Sequence, residues 1–463
     1  MLHSTQADLA SVAQNVHTGG GLLVSGVELD QFGPAELELE RFTVFAPDVQ
    51  IVVDDDDYSV EPPNTLYFRG VVAGMPNSIV VLAIPEQGPI RGMITDESGS
   101  WVLQENQKSV GGGLASRKVT QEEQTNLPSF ECGADRLGRH TTGIDPLQFH
   151  QQNDFHVAEL AANVTHTARL AIDTDYEYYA QFNNQNDALA YLGDLIAYSS
   201  TAYERETNTN LVIGWSRLFT TTNDPWSATD CCNGQNGSLE NVAALWQSTA
   251  TLQAVNRSLV HFISGKVLPG GSLCGCAYVG VLCNGTYGYG VSHGISGSFN
   301  INSPQVLWDS VVVAHEIGHN FNSPHTQDYC GVGGVSDPVD LCVNSGNLQN
   351  FCGTSRGLPG QNSLTGGTPG QGNGTIMSYC HLLSPGMSNT SFTFGTDHIY
   401  GVDADRVPAV MRSHVLQVAA QNPQCLALET TMPTPPSSPT GLSASDGTFT
   451  DKVRVNLEQR FRS

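Results

Sequence analysis

The run H-E-I-G-H-N-F-N-S-P-H occupies residues 315–325, and its spacing decides how this part of the chain must fold. Histidines stand at offsets 0, 4 and 10, and Glu316 follows the first of them. Residues i and i+4 lie on one face of an α-helix, so His315 and His319 can reach one metal ion together. A helix cannot aim a third ligand at that ion, so His325 requires the chain to turn sharply after the helix.

The residues that follow the helix predict this turn. Ser323 precedes Pro324 and is therefore disfavoured from α geometry, and Pro324 cannot continue the helical hydrogen bonds. The helix should end near Phe321. We expect Asn322 to adopt the left-handed backbone that Gly takes freely and that Asn tolerates better than most residues.

Three imidazoles with a fourth open position are a typical ligand set of catalytic zinc. We therefore predict one zinc ion held by His315, His319 and His325, with Glu316 as the general base for a water whose pKa the ion lowers to about 7. By average composition, H-E-x-x-H arises by chance in roughly one chain in a hundred of this length, and the third histidine makes it about fiftyfold rarer. A helix with two merely packed or exposed histidines is a weak alternative.

The run resembles the metzincin signature H-E-x-x-H-x-x-G-x-x-H, in the form of the adamalysin (reprolysin) branch, with Asn322 in place of Gly. G-T-I-M-S-Y at 374–379 resembles the Met-turn, with Met377 packed beneath the metal. C-G-C-A-Y-V-G at 274–280 resembles the edge strand that pairs with substrate, and this assigns substrate contact to Gly275, Cys276, Ala277 and Tyr278. Residues 36–105 resemble the propeptide, and E-C-G at 131–133 resembles its cysteine switch.

This resemblance implies an α+β metzincin catalytic domain preceded by a mainly β propeptide. The catalytic domain should hold a twisted mixed sheet, long helices, the active-site helix and an irregular disulfide-rich C-terminal subdomain. It also implies a latent precursor in which Cys132 binds zinc as a thiolate, a ligand that zinc accepts well. The alternative for Cys132 is a disulfide with a catalytic-domain cysteine or a buried free thiol.

Two residues depart from the adamalysin pattern. Met-x-Tyr resembles astacins and serralysins, where the tyrosine approaches the metal, so Tyr379 is a candidate zinc-proximal residue; a packed tyrosine is the alternative. Thr326 stands where animal adamalysins usually have Asp after the third histidine. Other histidines lack ligand spacing and are interpreted as surface or packed residues; they include His261, His293, His381 and His398.

Three domains follow from the changes in pattern along the chain. Residues 1–155 are predicted to be a propeptide of short alternating strands, and residues 160–427 the catalytic domain. Residues 428–463 should form a Pro/Ser/Thr linker and the truncated start of a β-sandwich module like fibronectin type III. Within the catalytic domain we expect a strand from 167 to about 179 and helices at 187–205, 239–263, 303–321 and 403–420.

Composition limits the environment and the partners. The net charge of −25, from 45 acidic and 20 basic residues, argues against nucleic acid. No apolar run reaches the roughly 20 residues of a membrane span. Ten of the 11 cysteines cluster between Cys231 and Cys425, which predicts disulfides and a secreted protein although no signal peptide is recognisable. The acidic run at residues 54–57 could bind calcium, but a solvated loop or strand end is the favoured interpretation, and the sequence assigns no oligomeric state.

Taken together, these patterns predict a secreted zinc endopeptidase that is made as a latent zymogen and cleaves protein or peptide substrates. The main alternative is a catalytically silent adhesion or binding module that keeps the metzincin fold. The retention of Glu316 with all three histidines favours the enzyme. A H-E-x-x-H exopeptidase should also carry a group that recognises a free terminus, and the sequence shows none.

Overall fold

The computed structural model describes residues 1–5, 8–54, 59–96, 99–105, 114–128, 130–137, 165–232, 236–269, 273–297, 305–342, 372–428, 443–444 and 455–456, and the structural statements below concern these residues. Residues 1–428 form one compact unit and residues 429–463 another. The predicted boundary between propeptide and catalytic domain, at 155–160, lies outside the described residues. None of the described helices is long and apolar enough to cross a membrane.

The N-terminal part of the chain is mainly β because apolar and polar residues alternate along it. In β3, for example, Leu37 and Leu39 are buried while Glu38 and Glu40 are exposed. Eight strands form a sheet in the order β1-β2-β3-β6-β7-β8-β9-β10. The elements of this part are β1 Leu2–Thr5, α1 Leu9–Ala13, β2 Gly21–Leu29, β3 Gly33–Phe42, β4 Phe45–Val53, β5 Ser59–Val60, β6 Thr65–Val72, β7 Met75–Pro85, β8 Arg91–Asp96, β9 Gly99–Glu105, β10 Leu114–Lys118 and α2 Gln121–Thr125.

The rest of the compact unit is an α+β structure around a second, mixed sheet, which confirms the predicted fold class. Its main path runs β11-β15-β16-β14-β12-β13-β4-β5, and β17 pairs with β12. The elements are β11 Glu131–Cys132, β12 His166–Thr174, α3 Tyr176–Ala180, α4 Gln185–Thr207, β13 Thr209–Leu218, α5 Ser238–Ser248, α6 Ala250–Gln253, β14 Leu259–Ile263, β15 Cys274–Ala277, β16 Tyr289–Ser292, α7 Gln305–Asn320, α8 Arg406–Gln421 and β17 Leu426–Leu428.

The N-terminal part of the chain covers both edges of the five strands β13, β12, β14, β16 and β15. At one edge β4 pairs in parallel with β13, and at the other β11 pairs in parallel with β15. Unpaired edge strands present free backbone N–H and C=O groups that readily accept another strand. The five strands therefore expose neither edge while the N-terminal segments stay in place.

The helix that carries the histidine run, α7, lies in the core. Every residue from Val306 to Asn320 is buried, and the helix packs against α4, where the hydroxyl of Tyr203 donates to the carbonyl of Ala314 at 2.8 Å. A helix enclosed on all sides has few alternative positions. The residues of the histidine run that lie on α7 are therefore carried by a well-packed element.

Two predictions about secondary structure are wrong. The predicted helix at 239–263 is α5, α6 and then strand β14, and the predicted strand from 167 ends at Thr174. β14 is fully buried between β12 and β16, and central parallel strands read as continuous apolar runs without alternation. Asp175 ends the earlier strand because its carboxylate accepts a hydrogen bond from the backbone N–H of Tyr178 at 2.8 Å and caps α3.

Four disulfides join described residues: Cys231–Cys274, Cys232–Cys276, Cys283–Cys425 and Cys342–Cys380. Cys132 is a buried free thiol, so the alternative in which it pairs with a catalytic-domain cysteine does not hold. The two adjacent cysteines Cys231 and Cys232 tie one loop to both cysteines of β15. Of the predicted C-terminal module, only the pairing of β18 (Ser443–Ala444) with β19 (Val455–Asn456) falls within the described residues.

A buried ion pair links β8 to α4, and breaking it should destabilise the chain. Two nitrogens of Arg91 bind the carboxylate of Asp194 at 2.7 and 3.1 Å, and the Asp194 side chain is 2% exposed. Arg91→Met should leave that carboxylate unpaired and lower the free energy of unfolding by about 3–5 kcal/mol. Urea denaturation at neutral pH measures the loss.

The ion pair between Arg169 and Asp48 gives a matched control, since it also joins the N-terminal part of the chain to the second sheet. The Asp48 side chain is 70% exposed, so Asp48→Asn should cost less than about 1 kcal/mol. If the two substitutions lowered the free energy of unfolding equally, burial of the Asp194 carboxylate would not explain the contribution of its ion pair to stability.

Candidate metal centre and active site

The end of α7 has the geometry that the sequence predicts. Asn322 has φ of 76°, in the left-handed region. The N–H of Asn322 donates to the carbonyl of His319 at 2.9 Å, and that of Ser323 donates to the carbonyl of Gly318 at 3.1 Å. This pair of hydrogen bonds is the Schellman motif, which satisfies the last helical carbonyls. The chain thereby reverses and returns His325 toward the helix.

The three histidines of the run converge. The ring centroids of His315 and His319 are 4.9 Å apart, those of His315 and His325 5.2 Å, and those of His319 and His325 4.6 Å. One ligand atom from each imidazole and the Sγ of Cys132 all lie within 4.8 Å of one another, and all four residues are buried. The structure thus brings the predicted ligands and the predicted switch cysteine to one point.

Each imidazole is oriented through Nδ1. The acceptors are the carbonyl of Ile376 at 2.6 Å for His315, the carbonyl of Ser323 at 2.7 Å for His319, and a carboxylate oxygen of Asp135 at 2.8 Å for His325. Because these partners are acceptors, each Nδ1 carries the proton and each Nε2 keeps its lone pair for a metal.

The donor set fits zinc. The Nε2 atoms of His315 and His325 are buried and have no hydrogen-bond partner among the described residues, which is costly for a polar atom unless a ligand completes it. Burial lowers the pKa of His315 well below its usual value and that of His319 to about 3. Both are therefore neutral at physiological pH, which is the form that binds a metal.

Cys132 lies over these imidazoles. Its Sγ is 3.2 Å from Nε2 of His319 and 3.6 Å from a carboxylate oxygen of Glu316. The backbone N–H of Ala134 donates to the same sulfur at 3.4 Å. Glu316 is fully buried, and burial, followed by the nearby negative charge of Asp135, raises its pKa well above the usual value.

The segment around Cys132 runs along β15. Glu131 pairs with Cys274 and Cys132 with Gly275, in parallel, and the N–H of Gly133 donates to the carbonyl of Gly275 at 2.8 Å. Glycine is required on both sides of this contact. A Cβ on Gly133 would collide with Sγ of Cys232, in the Cys232–Cys276 disulfide, and a Cβ on Gly275 would collide with the carboxylate of Glu316.

Phe130, which the sequence reading did not single out, fills a pocket beside the imidazoles. Its ring is fully buried and stacks on His381 with centroids 4.4 Å apart. It meets the rings of His315 and Trp308 edge-on, at 5.3 and 6.2 Å. His381 is packed, as predicted, and its stacking partner Phe130 directly precedes β11, the strand that pairs with β15.

Asp135 was also missed. Its carboxylate accepts hydrogen bonds from Nδ1 of His325 and, at 2.7 Å, from the hydroxyl of Tyr379. Although burial opposes it, the neighbouring His325 keeps the pKa of Asp135 well below its usual value. The Tyr379 ring lies 4.2 Å from that of His325. Asp135 stands only three residues after Cys132, and this proximity was the signal available in the sequence.

The region around Met377 supports the imidazoles from below. Met377 is fully buried, and a Cβ on Gly318 would collide with its sulfur, so the two elements are in close contact. The Met377 carbonyl accepts from the N–H of Thr326 at 3.2 Å, and the Ile376 carbonyl orients His315. The segment therefore packs and orients but contributes no ligand atom to the cluster.

Comparison with known proteins identifies the domain that carries this site. A family model described as metallo-peptidase family M12 matches residues 164–392. Residues 164–392 belong to metallopeptidase family M12. The chain is a zinc metalloendopeptidase, as predicted. Among solved structures, metalloproteinase-II from Bacteroides fragilis matches at 11% sequence identity over 72% of this chain and 92% of that chain, with a TM-score of 0.38.

The left-handed turn at Asn322 predicts how this M12 domain tolerates substitution. Asn322→Gly should leave stability and zinc binding unchanged or slightly improved, because Gly adopts positive φ freely. Asn322→Val should displace His325 and weaken zinc binding, because a β-branched residue is strained there. Zinc stoichiometry after dialysis against a weak chelator measures the difference, and a Val variant with full zinc would contradict the prediction.

The close approach of Gly133 to the Cys232–Cys276 disulfide predicts that Gly133→Ala loosens the segment while leaving Cys132 in the chain. Peptidase activity of the intact, uncleaved chain should rise above that of the wild type. Glu131→Ala is the control, because the Glu131 side chain is exposed. Activity that is equally low in the wild type and in both variants would show that the segment tolerates the extra methyl group.

Proposed function

We propose that this chain is the latent precursor of a secreted zinc endopeptidase of the adamalysin type. The observation that carries the proposal is the position of the segment from Phe130 to Asp135, which contains Cys132. It lies along β15, fills the pocket at His381 and brings the Cys132 thiol among the three histidines. A segment in this position blocks the approach of any other peptide to the same strand and the same ligands.

His315, His319 and His325 would hold the ion through Nε2, with Cys132 as the fourth ligand in the precursor. When bound, zinc supplies a Lewis acid that acidifies a water and polarises the scissile carbonyl. With the thiol as fourth ligand, a water would have no place at the ion until the segment leaves. The close contact of Cys132 with Glu316 supports this exclusion, because the thiol also blocks access to the base.

Glu316 would act as the general base. Its carboxylate is held between α7 and β15, where the missing side chain of Gly275 makes room for it. It faces the position that the thiol occupies, 3.6 Å from Sγ. Once the thiol is replaced by water, the same carboxylate oxygen is within reach to take a proton and return it to the leaving amine.

Substrates would be protein segments in extended conformation, bound by strand addition along Gly275, Cys276, Ala277 and Tyr278. The parallel pairing of β11 with β15 supports this, because it demonstrates that the β15 edge accepts a strand. The aromatic pocket that Phe130 fills, next to the ligand His315, would take a large apolar side chain adjoining the scissile bond. Tyr379, beside the third imidazole, would face the same cleft.

Secretion is supported by the disulfides, which form and persist in oxidising compartments. Activation would require the chain to be cut between the segment and β12. That region, residues 138–164, lies outside the described residues.

Substitution of the base tests the mechanism. In the processed enzyme, Glu316→Gln should keep one zinc per chain and lower kcat by at least about a hundredfold, since general base catalysis contributes 10²–10⁴-fold. Metal analysis and a quenched fluorogenic peptide measure the two quantities on the same sample. Retained activity would remove Glu316 from the role of base.

The wild-type processed enzyme is the control for the function itself. Full zinc content without cleavage of casein or of any peptide in a mixed library would favour a catalytically silent binding module instead. Chelation should abolish turnover, and added zinc should restore it.

Substitution of the switch cysteine tests latency. Cys132→Ala should give the intact chain measurable peptidase activity, because the fourth position becomes open to water. Cys132→Ser keeps the approximate size of the side chain but removes the soft ligand. It should also raise the peptidase activity of the intact chain. An intact Cys132→Ala chain that stays fully latent would show that the strand pairing and Phe130 are sufficient to block the cleft.

A further inference from the structure

The three imidazoles are not held by the same part of the chain. His315 and His319 donate to backbone carbonyls of the catalytic part, at Ile376 and Ser323. His325 donates instead to the side chain of Asp135, which is 190 residues away in sequence and belongs to the segment that blocks the cleft. Two ligands are thus oriented by the enzyme itself and the third by a segment that activation removes.

The local structure aims Asp135 at this position. After β11 the chain enters a short 3-10 turn, Ala134–Arg136, which directs the carboxylate back toward the imidazoles. One carboxylate oxygen meets Nδ1 of His325 at 2.8 Å and the other meets the hydroxyl of Tyr379 at 2.7 Å. The side chain of His325 is 1% exposed and that of Asp135 is 39% exposed, so the imidazole is shielded from water while the segment is in place.

Two other carboxylates lie near His325, those of Asp340 and Asp328. Asp340 accepts from the backbone N–H of Cys342 at 3.0 Å. Asp328 lies in the same small cluster as Asp135 and His325. Among the described residues, Asp135 is the acceptor that the structure gives to Nδ1 of His325. Hydrogen-bond partners of this kind fix the tautomer and ring orientation of a ligand, and their loss typically lowers metal affinity about 10–100-fold.

We propose that Asp135 is a positioning residue for the third zinc ligand, so that residues 130–135, the blocking segment, complete the metal site as well as closing it. This proposal rests on the proposed zinc site and deepens it. The precursor is then the form that binds zinc most tightly. Release of the segment removes both the Cys132 thiol and the support of His325, and the processed enzyme holds its ion on two well-oriented imidazoles and one that has lost its partner.

The experiment measures zinc affinity in the intact chain by competition with a chromophoric chelator, independently of activity. Asp135→Ala removes the acceptor, and Asp135→Asn keeps an acceptor without charge. Affinity should fall in the order wild type, Asn, Ala, with a total loss of about 10–100-fold. Asp328→Asn is the matched control, because it removes one negative charge from the same cluster and leaves the Asp135–His325 hydrogen bond in place. Its affinity should stay within about twofold of the wild type.

The same substitution in a chain that lacks the Cys132 thiol tests whether Asp135 acts by supporting His325 or by holding the thiol at the metal. In Cys132→Ala the thiol contributes nothing, and Asp135→Ala should still lower zinc affinity at least about tenfold. In the cobalt-loaded Asp135→Asn chain, the thiolate-to-cobalt absorption should persist, which shows that the segment remains docked.

Three results would overturn the proposal: unchanged affinity in Asp135→Ala, an equal loss in Asp328→Asn, or no effect of Asp135→Ala in the Cys132→Ala background. A wild-type chain that binds no zinc would instead contradict the proposed function, so the two failures are distinguishable.

Discussion

The rest of the site depends on one constraint: three imidazoles must present Nε2 to a single point, and in this structure each is oriented there by an acceptor at Nδ1. The three acceptors come from the Met377 segment, from the reversed end of α7, and from the blocking segment. Each is far from the others along the chain or separated by a sharp turn. The alignment of the three histidines in this structure therefore depends on three separate parts of the chain, those that carry Ile376, Ser323 and Asp135.

Burial makes this alignment rigid and also costly without a ligand. Imidazoles in an enclosed core retain polar atoms that no described residue pairs, as at Nε2 of His315 and His325. An unsatisfied buried polar group costs about 1–3 kcal/mol. A metal ion, which takes these lone pairs, removes that cost, so the chain is built to be more stable with the ion than without it. The same low-polarity surroundings strengthen the interaction between Glu316 and whatever occupies the fourth position.

The sequence predicted what depends on local spacing and backbone preference. The helix of the histidine run, the left-handed Asn322 and the alternating strands all follow from residues close together in sequence. The prediction from sequence was wrong where packing between distant segments determines the secondary structure. β14 shows no alternation because both of its faces are buried, so it was taken for the end of a helix.

The contacts of Phe130 and Asp135 were missed for a related reason. The segment 129–135 was read for its cysteine alone, since nothing local indicates that residues on either side of Cys132 meet His381 and His325. Likewise, the pairing of β4 with β13 joins segments more than 150 residues apart. Pairing of this kind depends on which sheet edge is available to a distant strand. The local pattern of a single sequence does not specify that edge.

Residues 130–135 are held in place by contacts of different kinds: strand pairing, burial of an aromatic ring and a hydrogen bond to His325. β11 is only two residues long and pairs in parallel, the less stable arrangement per residue. Burial of the Phe130 ring contributes about 1.5–3 kcal/mol, and the charge-assisted bond from His325 to Asp135 about 1.5–3 kcal/mol. No single contact is therefore sufficient, and the segment is anchored through the pocket, the ligand position and the third histidine together. β4 also pairs with β13 at the far edge of the same sheet. In the proposed activation, a cut after the segment would therefore leave the N-terminal part of the chain joined to the sheet through β4.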